Sequence, residues 1–332
     1  MLSVMFSALV LGADPSVMAL PVLSFQDSTT DDIPSIAQQE ADGQTPPVDV
    51  APAGLGQEPE MKFNTSLSFD AGYTWQFKSS LDEGGRLAHG RFHTDGKVTV
   101  PVAKGFSMSL GWRYQLDHWT FQDVVAPFNN INTAQINLGF NWRIDDNWMV
   151  LGGGQAMWAV EEGGDWNDGL IGGGVGAFAY TFSENLTLGG GVGIRSQLED
   201  DALFYPIIIV DWQITDRLSF DTRLTTGWAN QSGAELVYEL NENLDVGIAA
   251  VFDYERFRLD DSGPLPNGVG TTETLPLTFY LSWEPTEDVS LTFYAGATVY
   301  GRIKSTNAAS QDVYADNYKP APVIGFQGAV RF

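Results

Sequence analysis

Residues 106–119 read FSMSLGWRYQLDHW. Phe106, Met108, Leu110, Trp112, Tyr114 and Leu116 alternate with Ser107, Ser109, Gly111, Arg113, Gln115 and Asp117. Successive side chains of an extended strand leave on opposite faces, so this stretch is a ribbon with one apolar and one polar side. The pattern recurs. Leu67, Phe69, Ala71, Tyr73, Trp75 and Phe77 oppose Ser68, Asp70, Gly72, Thr74 and Gln76. Ile136, Leu138, Phe140 and Trp142 oppose Gln135, Asn137, Gly139, Asn141 and Arg143, and 218–228 and 244–254 alternate likewise.

Two kinds of connection separate the ribbons, and they take turns. Short turn-rich ones fall at 102–105, 145–147, 183–185, 215–217, 241–243 and 285–288. Such segments suit hairpins. Mostly longer ones fall at 79–90, 120–131, 160–168, 198–202, 229–233, 258–272 and 303–319. The reading is fourteen antiparallel strands, within a range of 12–16, at 64–78, 91–102, 105–118, 132–144, 147–159, 169–182, 186–197, 203–214, 218–229, 233–240, 244–257, 273–284, 288–302 and 321–332. Most are about twice the ordinary strand length and match a tilted bilayer crossing of about 9–11 residues.

Composition decides which way the apolar face looks. The polar faces carry mainly Gly, Ser, Thr, Asn and Gln, whereas soluble surfaces are richer in Lys and Glu. Small uncharged groups suit a confined lumen, with the apolar face turned to lipid. Trp142, Trp148, Trp212 and Trp283 lie on the apolar face beside short turns, and Trp75, Trp112, Trp158 and Trp228 lie towards the loop ends. Two aromatic bands are expected where rings meet both lipid–water interfaces. The expected fold is an all-β, transmembrane, up-and-down barrel over residues 61–332.

The rest of the composition excludes alternatives. The chain has 332 residues and a formal charge of −25, with 17 basic residues against 42 acidic ones. That balance opposes nucleic-acid binding, which requires a basic footprint. The chain has no Cys, which removes disulfides, zinc–thiolate sites and thiol nucleophiles. No long apolar run provides a membrane helix. Residues 1–60 contain no Lys or Arg. Their opening, MLSVMFSALVLGA, resembles the apolar core of a secretory signal without its basic start, so 1–25 is read as an atypical signal segment. Residues 26–60, acidic and Pro-rich, are read as a disordered linker.

The chain ends GFQGAVRF, with Ile324, Phe326, Val330 and terminal Phe332 on one face. This resembles the C-terminal assembly signal of bacterial outer-membrane β-barrels, carried here by Phe326 and Phe332. The pattern over 61–332 is also similar to an uncharacterised, domain-of-unknown-function group of such barrels. The resemblance implies export to the outer membrane, insertion by the barrel assembly machinery, and contact with outer-membrane lipids.

Candidate chemistry is sparse. Outer-membrane phospholipase barrels use His, Ser and Asn on the lipid-facing wall; of His89, His93 and His118, His93 is read as inward and His118 as a strand-end residue, and no such triad is evident. The Gly runs at 152–154, 172–174 and 189–191 lie in strands and lack the Lys-Ser or Lys-Thr of a phosphate loop. No acidic loop has calcium-ligand spacing. The reading therefore has no enzyme activity, cofactor or metal site.

The inward charges are expected to be the acids Asp70, Asp95, Asp117, Asp211, Asp221, Glu235, Glu239, Asp245, Asp253 and Glu255, and the bases Lys78, Arg91, Lys97, Arg113, Arg143, Arg195, Arg223 and Arg331. On a low-dielectric wall they should pair across strands. Glu161, Glu162, Asp165, Asp168, Glu199, Asp200 and Asp201 form an acidic outer rim. These features point to a porin-like passive channel for small hydrophilic solutes or ions with a weak cation preference. Loops 258–272 and 303–319 would narrow it, as would inward Tyr205, Tyr294 and Tyr300. The alternatives are a closed structural or adhesive barrel, and an uptake barrel for hydrophobic compounds opening at the strand of Pro206 or of Pro276.

Overall fold

Strand after strand of alternating residues pairs with its sequence neighbour. In the computed structural model, which describes residues 65–222 and 232–332, the strands are β1 (Ser66–Ser80), β2 (Arg86–Ala103), β3 (Phe106–Gln122), β4 (Ile131–Arg143), β5 (Trp148–Glu161), β6 (Leu170–Ser183), β7 (Leu186–Gln197) and β8 (Asp200–Thr215). They continue with β9 (Leu218–Asp221), β10 (Ser232–Asn241), β11 (Leu244–Arg258), β12 (Val269–Thr286), β13 (Val289–Thr306), β14 (Asp312–Tyr318) and β15 (Ala321–Arg331). The signal and linker readings for 1–60, and the readings of Arg223 and Trp228, lie outside the described residues.

Neighbours pair antiparallel throughout, and β15 closes the ring by pairing with both β13 and β1. β14 and β15 run in the same direction along β13, β14 on its outer half and β15 on its inner half, with Lys319 and Pro320 between them. They are one broken stave, so fifteen strands make a barrel of fourteen staves. Loop 303–319 of the sequence reading is thus largely the end of β13 and β14. Several strands also extend past their expected loop-side ends: β2 begins at Arg86, and β12 at Val269.

Registers carry the alternation round the wall. One belt of paired residues runs from Gln327 through Gly72, His93, Gln115 and Thr133 to Ala159. The opposite face is exposed and apolar: Leu110, Ile136, Leu138, Phe178, Phe204, Ile208, Phe279 and Phe293 are among its large side chains. That is the inverse of a soluble core, and among the described residues no helix is long and apolar enough to cross a membrane. Trp112, Trp142, Trp148, Trp212 and Trp283 are exposed on the apolar face, Trp75 and Trp158 half-buried on it, and Phe326 and Phe332 exposed. At Gly96 a side chain would collide with the Trp112 ring, which lies flat on the neighbouring strand.

Four irregularities, spread over the five adjacent staves from β11 round to β1, fall at one level. β1 bulges between Gln76 and Ser79; the last stave is interrupted at Lys319–Pro320; the β12–β13 register slips at Leu275/Pro276, leaving Val299 as the extra residue; and the β11–β12 pairing skips Val251 and Phe252. Bulges bend strands, and proline removes a ladder donor. Above this line the sheet turns inward. The proof is topological. β5 and β11 are six staves apart, yet Arg258 and Val160 are parallel backbone partners. The outer half of β11 therefore crosses the lumen. Pro276, expected to mark a lateral opening, marks this bend instead, and Pro206 sits exposed in register with Val192.

Candidate functional site

The infolded half of β11 has both faces occupied. Residues 253, 255 and 257 face the wall of β2–β3. Arg91 of β2 holds Asp117 at 2.7 Å, Asp253 at 2.6 Å and Glu255 at 2.9 Å, all largely buried. Gln115 donates to Asp117 at 2.7 Å and also to Glu255. His89 contacts Asp117 at 2.7 Å and stacks on Trp119 at 4.0 Å. Buried charges persist only when paired, and here one guanidinium serves three carboxylates.

The other face meets the inner wall of β7 and β8. The Tyr254 ring lies under Arg195 at 5.4 Å, and its hydroxyl donates to Gln197 at 3.2 Å. Arg256 reaches Asp200 at 3.0 Å, while Arg258 pairs with Glu199 and donates to the backbone carbonyls of Asp168 and Asn267. Apolar groups fill the space between. Leu87, Trp119, Phe128, Ile131, Phe257, Leu259 and Ile303 form one buried cluster in the outer mouth, with Phe128 edge-on to Phe257 at 5.0 Å.

Glu161 fastens the loops over this cluster. It accepts the backbone N–H of Asn129 at 2.7 Å and that of Asp260 at 2.9 Å, and it is only 2% exposed. The expected acidic rim therefore loses Glu161, which is an interior anchor, while Glu199 and Asp200 stay exposed and pair with the arginines of β11. Asp260 itself turns the loop: the backbone N–H and hydroxyl of Ser262 hold its carboxyl below the ordinary carboxylate range.

Below the bend the inner wall is two-sided. On β1–β3, Asp70 faces Asp95, and Arg113 grips Asp95 with two donors, one at 3.0 Å. On β5–β8 the wall is apolar, with Leu151, Ala177, Ala179 and Ile209 in one cluster and Leu203 and Tyr205 in another. The wet lumen expected from the sequence is wet on one flank only. Towards the turn end, Asp211, Asp221 and Glu235 sit side by side, Tyr280 donates to Glu235 at 2.9 Å, and Glu239 faces Asp245. Lys97 is half-buried beside Ser68, and Arg143 and Arg331 are exposed at the turn end. Lys78 departs from its expected inward place: the β1 bulge gives that position to buried Ser79 and leaves Lys78 exposed.

Tyrosines do not narrow the lumen as expected. Side chains at Gly193, Gly325 and Gly247 would collide with the rings of Tyr205, Tyr294 and Tyr280, so each ring lies along the wall over a glycine. Tyr300, shifted by the Val299 bulge, donates to Glu273 at 3.1 Å. His118 is exposed, 2.7 Å from Asn130, and does not join the interior groups.

The sequence contained a signal for some of what was missed. Glu161 continues the inward odd-numbered positions of β5 past the expected strand end at 159. Arg256 and Arg258 carried none, because their alternation places them on the outward face until β11 folds in.

Comparison with curated proteins finds no match. Among solved structures, an outer-membrane channel from Pseudomonas putida F1 is similar at 9% identity and a TM-score of 0.43, over 83% of this chain and 100% of that one. A FadL homologue from Pseudomonas aeruginosa is similar at 10% identity and a TM-score of 0.42, over 80% and 90%. The NanC porin is similar at 12% identity and a TM-score of 0.33, over 78% and 98%. Likenesses this distant carry no argument about cargo. Residues 101–331, the greater part of the barrel, match one family throughout, and the chain belongs to it: Domain of unknown function (DUF6268).

Proposed function

We propose that the protein is a gated channel of the bacterial outer membrane, inserted by the barrel assembly machinery, and that the arrangement above is its closed state. The observation that supports this reading is the outer half of β11. It blocks the lumen while keeping its backbone ladder with β12, and it meets the wall opposite largely through Arg91, Arg195, Arg256 and Arg258, groups that water can solvate if the strand swings out with β12. The line of bulges and prolines beneath it supplies the hinge. Short turns face the periplasm and the tied loops face outward, as in other outer-membrane barrels.

The cargo is a small hydrophilic solute or ion, with weak cation preference, because Asp211, Asp221, Glu235, Glu239 and Asp245 put an excess of acids on the inner wall towards the turn end. A second reading, passage of small apolar compounds, draws support from the apolar flank on β5–β8 and the apolar cluster in the mouth. No enzymatic step is part of either.

A reversible cross-link tests the gate. The chain has no Cys, so Val160→Cys with Arg258→Cys places one removable bond across the lumen. Oxidised protein in planar bilayers should be silent, and reduction should restore openings, with a reversal potential on the cation side in a KCl gradient. Silence in both states would leave a closed structural barrel. Equal conductance in both would mean that β11 is no gate, and an anionic reversal potential would reject the cation preference. Uptake of an apolar dye without ionic current would favour the second reading.

A further inference from the structure

Asp70 on β1 and Asp95 on β2 are direct cross-strand partners, inward-facing. Like charges placed opposite one another repel, and Arg113 grips the Asp95 side of the pair. Beside them stands His93, inward on β2 and 1% exposed, with its Nε2 3.8 Å from an Asp70 oxygen. Both of its ring nitrogens are buried with no hydrogen-bond partner. Gln327 donates to Asp70 at 3.1 Å, while its own carbonyl oxygen is buried and unpartnered. Burying such groups without partners is costly, so their accumulation round two facing carboxylates calls for a missing partner.

We propose that Asp70, His93 and Asp95 bind one divalent transition-metal cation on the lumen wall. Their ligand atoms all lie within 4.8 Å of one another, which a single ion can bridge. One imidazole nitrogen and two carboxylate oxygens suit Zn²⁺ or Co²⁺ rather than Ca²⁺ or Mg²⁺, which take oxygen alone. Gln327, bonded to Asp70 through its amide, stands beside the site with its carbonyl oxygen unpartnered. Arg113 does not compete: each Asp95 oxygen keeps a free lone pair, and the guanidinium fixes the carboxylate's orientation as outer-shell partners do. The backbone is cut to fit, because a side chain at Gly72 would collide with the His93 ring. Access comes from the lumen, where the Asp70 and Asp95 side chains remain 22% and 15% exposed. The ion would turn the local charge of Asp70, Asp95 and Arg113 from −1 to +1 and place a fixed cation on the charged flank.

The site stands on its own geometry and is tested without conductance. Folded, detergent-solubilised full-length protein, stripped with chelator and dialysed against micromolar Zn²⁺, should carry about one zinc per chain by elemental analysis. Co²⁺ should give visible d–d absorption of a nitrogen–oxygen site, and Ca²⁺ in tenfold excess should displace neither. His93→Gln and Asp70→Asn should each lower affinity at least tenfold, whereas His118→Ala should leave it unchanged. If the variants misfold, the wild-type titration still decides: no stoichiometric zinc at tens of micromolar overturns the site. So does undiminished binding in folded His93→Gln.

Discussion

Single residues on this wall are constrained by what lies across from them. Gly193 is flat because the Tyr205 ring occupies the space a side chain would take. Gly193→Ala should destabilise the barrel by about 1–3 kcal/mol, the usual cost of overpacking, and lower the temperature at which its compact electrophoretic form is lost. Gly176, where nothing stands within 4 Å of such a side chain, should accept alanine with little change. Arg91 is the opposite case. Arg91→Met leaves Asp117, Asp253 and Glu255 buried around no cation, a loss of about 3–5 kcal/mol. Adding Asp253→Asn and Glu255→Gln should return much of it, and urea titration of the two variants reads the difference. Period two shows which residues of one regular strand share a face, since a strand's parity follows from the chain alone. It failed at Lys78, where one bulged residue reverses parity, and bulges leave no mark in alternation.

At the scale of the strand, sequence and structure part company along one line. The strands themselves were legible, since lengths of 10–15 alternating residues between turn signals leave few other options. That the outer half of β11 turns inward while keeping its ladder with β12 was not. Its residues alternate as a wall strand should, and only the coincidence of Pro276, the Val299 bulge, the β1 bulge and Lys319–Pro320 on neighbouring staves bends it. Pro276 was visible as an irregularity, but one proline does not reveal at what height its neighbours are irregular. Asp253→Asn with Glu255→Gln removes both ion pairs that Arg91 makes with β11. The doubly substituted barrel should remain folded and open more often than wild type in planar bilayers, with longer openings. Unchanged gating would assign the closure to the apolar cluster around Phe128 and Phe257.

The described barrel is a hydrophobic belt around an interior that is charged on one flank and apolar on the other, and its energetics follow from the lipid-facing belt. Leu138 is 59% exposed near the middle of β4, on the lipid face. Leu138→Arg should cost about 2–4 kcal/mol in lipid bilayers, where a soluble protein would accept arginine at an exposed site. Refolding yields into phosphatidylcholine vesicles measure it. The same belt explains why the architecture was readable before any coordinates: lipid-facing aromatics and small polar lumen residues are compositional facts. The two-sided inner wall was not readable, because it depends on which staves stand opposite one another.

Leu67 and Phe332 exchange both backbone hydrogen bonds at the turn end of the closing pair. An even number of staves brings both ends of the chain to the same side of the membrane. The described chain therefore begins at the turn-end rim, opposite the tied loops. An epitope inserted just ahead of Ser66 should be invisible to antibody on intact cells and become stained only after the envelope is permeabilised, whereas one inserted at Asn307–Gln311 should be stained from the start.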